Sequence, residues 1–264
     1  MNQQERLEYL IQYLINESTS YKDLHYAPSE APRILRSLMN LRMPSPVSQE
    51  FLDIQDACLK EESRRRGIVE PDTIPTVRES CHSSHRFADR ISIWQGDITR
   101  LKVDAIVNAA NSQLLGCFVP CHGCIDNAIH SAAGLELREE CAKIMESQQT
   151  EEPTGRAKIT NAYNLPCRHV LHTVGPIIGR NLTDKDCEQL KSCYRSCMDL
   201  ADEHHLESIA FCCISTGEFH FPNDKAAEIA VQTVETCLET SSIRRVIFNV
   251  FKDNDFHIYE SLFR

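Results

Sequence analysis

The sequence predicts an α/β protein preceded by a small helical module. Three features carry that reading. Up to residue 66, apolar residues recur only at helical spacing. Residues 67–84 hold one glycine, two prolines and few apolar side chains, and read as a connection. Beyond His85, short β-branched runs alternate with amphipathic helical segments. Such alternation implies a sheet covered by helices on both faces.

Within the helical module, Leu7, Leu10, Ile11, Leu14 and Ile15 predict a helix over 3–17. Ile34, Leu35, Leu38 and Leu41 predict a second over 32–42, with Pro32 in the first turn, where proline is tolerated. Pro44-Ser45-Pro46 breaks the chain. Ser48 is placed to cap a third helix carrying Phe51, Leu52, Ile54, Cys58 and Leu59. Arg64-Arg65-Arg66 reads as a solvated helix end favoured by the macrodipole. About 75 residues are too few for a trustworthy independent core, so this module is expected to pack on the α/β part of the chain. Strands are predicted at 91–94, 105–108, 170–173, 208–214 and 245–250. Helices are predicted at 126–148, 185–205, 222–238 and 254–262.

The 264 residues allow one large domain, or one domain with an appendage. A formal net charge of −10 argues against a protein that grips nucleic acid through phosphate contacts, and leaves room for a nucleotide-like ligand in a local pocket. No apolar run is long enough to cross a bilayer. The first residues, Met1 to Arg6, are polar and lack a signal-peptide core, so a soluble cytoplasmic protein is expected. Thirteen cysteines, an odd number, are expected to be reduced. Cys187, Cys193, Cys197, Cys212 and Cys213 read as small hydrophobes.

One stretch asks for a chemical explanation. Between Cys117 and Asp126 the chain packs three thiols, one imidazole and one carboxylate. Thiolate and imidazole suit zinc. Cys117, His122 and Cys124 are spaced C-x4-H-x-C, so one loop can wrap a single ion. Cys121 is a fourth candidate, but neighbours such as Cys121 and His122 rarely close a good tetrahedron on the same ion. Three protein ligands with one open position mark catalytic zinc, whereas four mark a structural site. A structural knuckle, or cysteines used as core residues, are the alternatives.

Other residues carry paired readings. Asp97 follows a glycine at a strand end, where α/β folds bind ligands, or is a turn residue. Asn111 can donate to and accept from sugar hydroxyls, or form a turn. Asp126 opens a helix and competes between chemistry and capping. His130 reads as structural. The 215–222 loop comes after an apolar strand, and its backbone amides can cradle a pyrophosphate without a basic side chain. Phe251 ends the last strand and is either a ligand-facing or a core aromatic.

Gly96-Asp97-Ile98, then Val103 through Asn111, then Asp126 through Gly134 resemble the macrodomain signature. Most macrodomains carry a glycine run between the asparagine and the aspartate. Here Gly116 to Cys124 replaces it, which resembles the zinc-dependent subclass of ADP-ribosyl hydrolases. The resemblance implies a three-layer α/β/α sandwich with a mixed central sheet over residues 76–264, preceded by a helical extension, residues 1–75. It implies one zinc ion per chain on Cys117, His122 and Cys124, and catalytic roles for Asn111 and Asp126. Adenine would be held by Asp97, the Ile98 amide and Phe251. The diphosphate and distal ribose would be held by Asn111, Ser215, Thr216, Gly217, Glu218 and Phe219. The implied activity removes mono-ADP-ribose from modified proteins at the distal ribose, releasing ADP-ribose. The implied target is a lipoylated carrier protein modified by a class M sirtuin. A non-catalytic ADP-ribose reader with a structural zinc, or an O-acetyl-ADP-ribose deacetylase, are the alternatives. Neither membrane nor direct nucleic-acid contact is expected.

Overall fold

The structure is a computed structural model that describes residues 1–264. Three helices come first: α1 (Gln3–Asn16), α2 (Ala31–Leu41) and α3 (Gln49–Arg66). Asn2 and Glu5 close a capping box at the start of α1. Ser48 caps α3 as expected, its Oγ accepting from the Phe51 amide at 3.2 Å. The apolar stripes of the three helices meet in a 13-residue core that includes Leu10, Ile11, Leu35, Leu38 and Phe51. Leu135, from far beyond the extension, completes it. A core this small gains much of its burial from the neighbouring layer.

The connection contains one turn of helix, α4 (Val77–Ser80), and is stitched to the sheet by bridges from Val69 to Leu101 and from Thr76 to Ser92. Next come β1 (Ile91–Gln95), β2 (Ala105–Ala110), α5 (Ile125–Ala133), α6 (Leu135–Gln148), β3 (Ala157–Asn161) and β4 (His169–Val174). The chain ends with α7 (Asp184–Glu203), β5 (Ser208–Phe211), α8 (Asn223–Leu238), β6 (Arg245–Val250) and α9 (Asp253–Phe263). The sheet order is β1-β6-β5-β2-β4-β3, parallel except for β3 against β4. Parallel crossovers are right-handed as a rule, so connections that run in opposite directions across the sheet carry α5 and α6 to one face and α7 and α8, which pack together with α9 beside α8, to the other. A second core of 50 buried residues fills the sandwich. Six of the cysteines, Cys141, Cys167, Cys193, Cys197, Cys212 and Cys58, are buried, and all thirteen are free.

Three local expectations fail. The helix expected over 126–148 is two helices. Gly134, at φ +104° and ψ 179°, turns the chain where a Cβ would stand 2.7 Å from Gln55 Nε2. That backbone region is open essentially to glycine alone. Strand β3 went unpredicted because it is a short, half-exposed edge carrying Lys158, a composition suited to an edge and poor in strand signal. Strand β5 stops at Phe211, not 214, because the chain leaves the sheet to build a loop.

Asp104 aligns the starts of the central strands. Its carboxylate accepts from the Glu207 and Ser208 amides at 2.9 and 3.0 Å, from Ser208 Oγ at 3.0 Å and from Arg168 at 3.0 Å. Burial alone would raise its pKa. The four donors outweigh that and hold it below the usual value. A carboxyl with a depressed folded pKa contributes stability that is complete above its unfolded pKa and lost as pH falls through its folded pKa. The expected outcome is a loss of wild-type stability below about pH 4 that Asp104→Asn flattens. Urea titrations across pH check it, and parallel profiles for the two proteins would refute it.

Candidate active site

The site lies where the loops after β1, β2, β5 and β6 gather at the carboxyl edge of the parallel strands. The loop between β2 and α5 starts at Asn111. Its Oδ1 accepts from the Gln113 amide at 3.0 Å, making a side-chain turn, and its Nδ2 donates to the Gly116 carbonyl at 3.1 Å. The loop ends at Cys124, whose sulfur caps α5 by accepting from the Asn127 amide at 3.4 Å. The helix is thus capped by Cys124, and Asp126 is freed from the capping role considered for it.

Cys117, His122 and Cys124 converge, their ligand atoms all within 4.8 Å of one another and each residue half-buried. Cys117 Sγ stands 3.7 Å from His122 Nδ1. Burial pushes the Cys124 thiol up to about 12, with the Cys117 sulfur and the Asp126 carboxylate adding to it. Two thiols and an imidazole crowded in this way fit a soft divalent cation, which would neutralise both sulfurs as thiolates. Cys121 stays outside the cluster. Its backbone is left-handed, at φ +51°, and its sulfur faces Ser37 Oγ at 3.3 Å and the Arg33 carbonyl at 3.5 Å. His122 Nε2 faces Glu218 Oε1 at 3.8 Å, beyond direct hydrogen-bond distance.

Beneath the loop, Asp126 is buried. Its Oδ1 accepts from Asn108 Nδ2 at 2.8 Å and its Oδ2 from Asn111 Nδ2 at 3.4 Å. Burial raises its pKa to about 6, against the pull of the Asn108 hydrogen bond and the Arg138 charge. His130, His172 and Cys141 form a second, fully buried group. The His172 ring is already engaged, by Asn108 at 3.2 Å and Thr160 Oγ1 at 3.0 Å, whereas neither ring nitrogen of His130 has a hydrogen-bond partner and its Nε2 stands 3.5 Å from Asp126 Oδ1. Burial drives both imidazoles to the neutral form.

At the far end of the cleft, Asp97 Oδ1 accepts from the Thr99 amide and hydroxyl at 3.0 and 2.6 Å, and Oδ2 from Arg66 at 2.9 Å. Ile98 is buried behind it. Arg66 therefore departs from the solvated helix end expected of it, whereas Arg64 and Arg65 pair with Glu61 on the surface. Phe251 is 75% exposed, which rules out a core role. Between the two ends, Ser215 adopts φ +65° and starts a turn closed by Phe221 N to Ser215 O at 2.9 Å. Thr216, Gly217, Glu218 and Phe219 line that turn, and the Phe219 carbonyl is held by the Ile178 amide at 2.9 Å. Gly175 lets Ser215 in: a Cβ there would lie 2.0 Å from its Oγ. Sequence reasoning missed Asn108, Arg36, Asn40 and Arg138. None carries a local signal, because their partners lie far along the chain.

The fold is that of a macrodomain. Residues 107–230 match the Macro domain family. A relative from Treponema medium, named protein-ADP-ribose hydrolase, is 51% identical over 265 residues, spanning 99% of each chain. A protein of the same name from Staphylococcus aureus (strain MSSA476) is 47% identical over 263 residues, 98% of this chain and 95% of that one. The Trypanosoma brucei macrodomain, solved in complex with ADP-ribose, is similar with a TM-score of 0.67 at 30% identity, over 90% of this chain and 97% of that one. The chain belongs to the macrodomain family.

The Asn108–Asp126 contact generates a test. Leaving a buried acceptor without its donor costs about 1–3 kcal/mol, so Asn108→Ala is expected to lower stability by that amount. In a double-mutant cycle with Asp126→Ala the two changes are expected to couple. Effects that simply add in urea unfolding would show that the contact is energetically idle.

Proposed function

We propose that this chain is a zinc-dependent hydrolase that removes mono-ADP-ribose from modified proteins by cleaving the glycosidic link at the distal ribose. The observation that carries the reading is the convergence of Cys117, His122 and Cys124 within the stretch whose two ends, Asn111 and Asp126, are themselves joined by a hydrogen bond. Nearly full-length similarity to relatives named protein-ADP-ribose hydrolase supports the same activity.

Cys117, His122 and Cys124 would hold one zinc ion, which supplies Lewis-acid polarisation of a ribose or linkage oxygen, or a lowered pKa for bound water. The remaining work falls to the chain's own groups. Asp126, a carboxylate at neutral pH, accepts a proton from the attacking water or orients it. Asn111 fixes the distal ribose and ties the loop to Asp126 through one amide. Backbone amides of Ser215, Gly217, Glu218 and Phe219 cradle the diphosphate, while the Thr216 amide donates to the Cys213 carbonyl at 3.4 Å and holds the turn. Asp97 keeps one lone pair, on Oδ2, free for the adenine amino group beside its bonds to Thr99 and Arg66, assisted by the Ile98 amide. The exposed Phe251 ring lies against the base. The zinc-bearing subclass points to a cytoplasmic lipoylated carrier, modified by a class M sirtuin, as substrate, with ADP-ribose as product. A reader with a closed structural zinc would need a fourth ligand, and the Cys121 sulfur is occupied elsewhere.

The deciding experiment is release of ADP-ribose from a mono-ADP-ribosylated protein, with and without a chelator. Activity indifferent to metal removal would overturn the zinc reading. Cys117→Ala and His122→Ala are expected to lose zinc and turnover while circular dichroism stays that of the parent, and Cys121→Ala to keep both. Metal analysis of each variant checks this, and loss of zinc from Cys121→Ala would be the contrary result. Asp97→Ala is expected to weaken ADP-ribose binding by roughly 1.5–3 kcal/mol, the worth of a hydrogen bond to a charged group. Calorimetry measures it, and an unchanged affinity would reject the adenine pose.

A further inference from the structure

The tip of the cysteine loop has little support of its own. Within residues 117–123 the backbone makes one internal hydrogen bond, His122 N to Val119 O at 3.2 Å, and Gly123 has open space around it. The other contacts come from outside, and most of them from α2. Arg36 donates to the His122 carbonyl at 3.3 Å and twice to Asn127 Oδ1, at 3.1 and 2.6 Å. Asn127 in turn donates through Nδ2 to the Val119 carbonyl at 2.9 Å. Asn40, 1% exposed, accepts from the Cys121 amide at 2.9 Å and donates to Ser131 at 2.9 Å. Ser37 and the Arg33 carbonyl hold the Cys121 sulfur.

These residues fall at positions 33, 36, 37 and 40, one face of a helix. The opposite face, with Leu35, Leu38 and Met39, is sunk in the core of the extension. Helix α2 is therefore two-sided, and its polar side faces protein.

We infer that α2 is the outer wall of the metal loop, and that Arg36 and Asn40 are positioning residues that keep Cys117, His122 and Cys124 in register for the ion. The inference rests on the metal reading of that loop. Arg36 grips the backbone of one ligand, His122, and the side chain that anchors Val119. Asn40 fixes the amide of Cys121 and so helps hold its sulfur away from the cluster. The extension is then part of the site, although it contributes no ligand.

The test uses the full-length, zinc-loaded protein and its Arg36→Ala, Arg36→Lys and Asn40→Ala variants. Zinc transfer to a chromogenic chelator is timed, and amide hydrogen exchange is tracked over residues 117–127. Arg36→Ala is expected to release zinc about 10-fold faster or more, the usual consequence of losing a partner that orients a ligand. Its turnover number should fall while its ADP-ribose affinity stays that of the parent. Arg36→Lys should not restore the slow release, because one ammonium cannot reproduce the planar fork that spans His122 and Asn127. Exchange over 117–127 should speed up in Arg36→Ala and Asn40→Ala, with zinc and without it. Parental release and exchange rates in variants that melt with the parent would overturn the inference. Should Arg36→Ala fail to fold, Asn40→Ala and Arg36→Lys decide it by the same two readings. A parent protein that binds no zinc would defeat the metal reading alone. Exchange in the metal-free proteins would then settle the wall, faster exchange upholding it and unchanged exchange rejecting it.

Discussion

A buried positive charge organises the join between extension, loop and sheet. Arg138 of α6 is 4% exposed. A guanidinium taken out of water must find acceptors for its donors or cost several kcal/mol. It finds them in backbone carbonyls: Met39, Asn40 and Arg42 at 2.9, 2.9 and 2.6 Å, and Leu115 at 2.7 Å. Its plane also lies 4.4 Å from the centre of the Phe118 ring. Three of those carbonyls belong to the end of α2, where the helix leaves its last acceptors unsatisfied and its dipole favours a cation. The other two partners are Leu115, at the root of the cysteine loop, and Phe118, within it. One side chain therefore locks the extension, the loop and the flanking helix layer into a single arrangement.

The extension touches both ends of the cleft. Its second helix backs the cysteine loop, and the last residue of its third helix binds Asp97. The sheet supplies the loops between these ends. Two packed bodies thus meet at the site: Leu135, next to the glycine that parts α5 from α6, reaches out of the sandwich to complete the core of the extension. A glycine there lets Gln55 of the extension reach the Leu135 amide at 2.9 Å and Glu136 at 2.7 Å. The strained turn is the condition for that docking.

The floor of the site is polar where a core is normally apolar. Asn108, Asp126, His172 and Thr160 form a chain of hydrogen bonds beneath the cysteine loop. Burial of an unpaired carboxylate would be prohibitive, and two asparagine amides share the load here. The result is a carboxylate held rigidly, with its pKa drawn toward neutrality, on the side of the loop that carries the thiols. Such a group suits proton transfer better than a solvated aspartate does.

Much of this was legible in the residues themselves. The stripes of α1 and α2, the Ser48 cap, the five parallel strands and the C-x4-H-x-C spacing are local features. Periodicity, dihedral preference and ligand spacing are properties of neighbouring residues, so they survive in the linear chain. The choices that the residues alone left open were decided across distance. The exclusion of Cys121 rests on residues 84 and 88 positions away, Asp97 meets Arg66 across 31, and Arg138 meets α2 across 96 to 99. The break at Gly134 answers to Gln55, and the exposure of Phe251 to where the last strand leaves the sheet. A polar helix face reads the same whether it meets water or another segment's carbonyls. Only folding brings the His122 carbonyl 3.3 Å from Arg36 and the Cys121 amide 2.9 Å from Asn40, and that is why the residues set the chemistry of the loop while the tertiary structure set which thiols converge and what holds them.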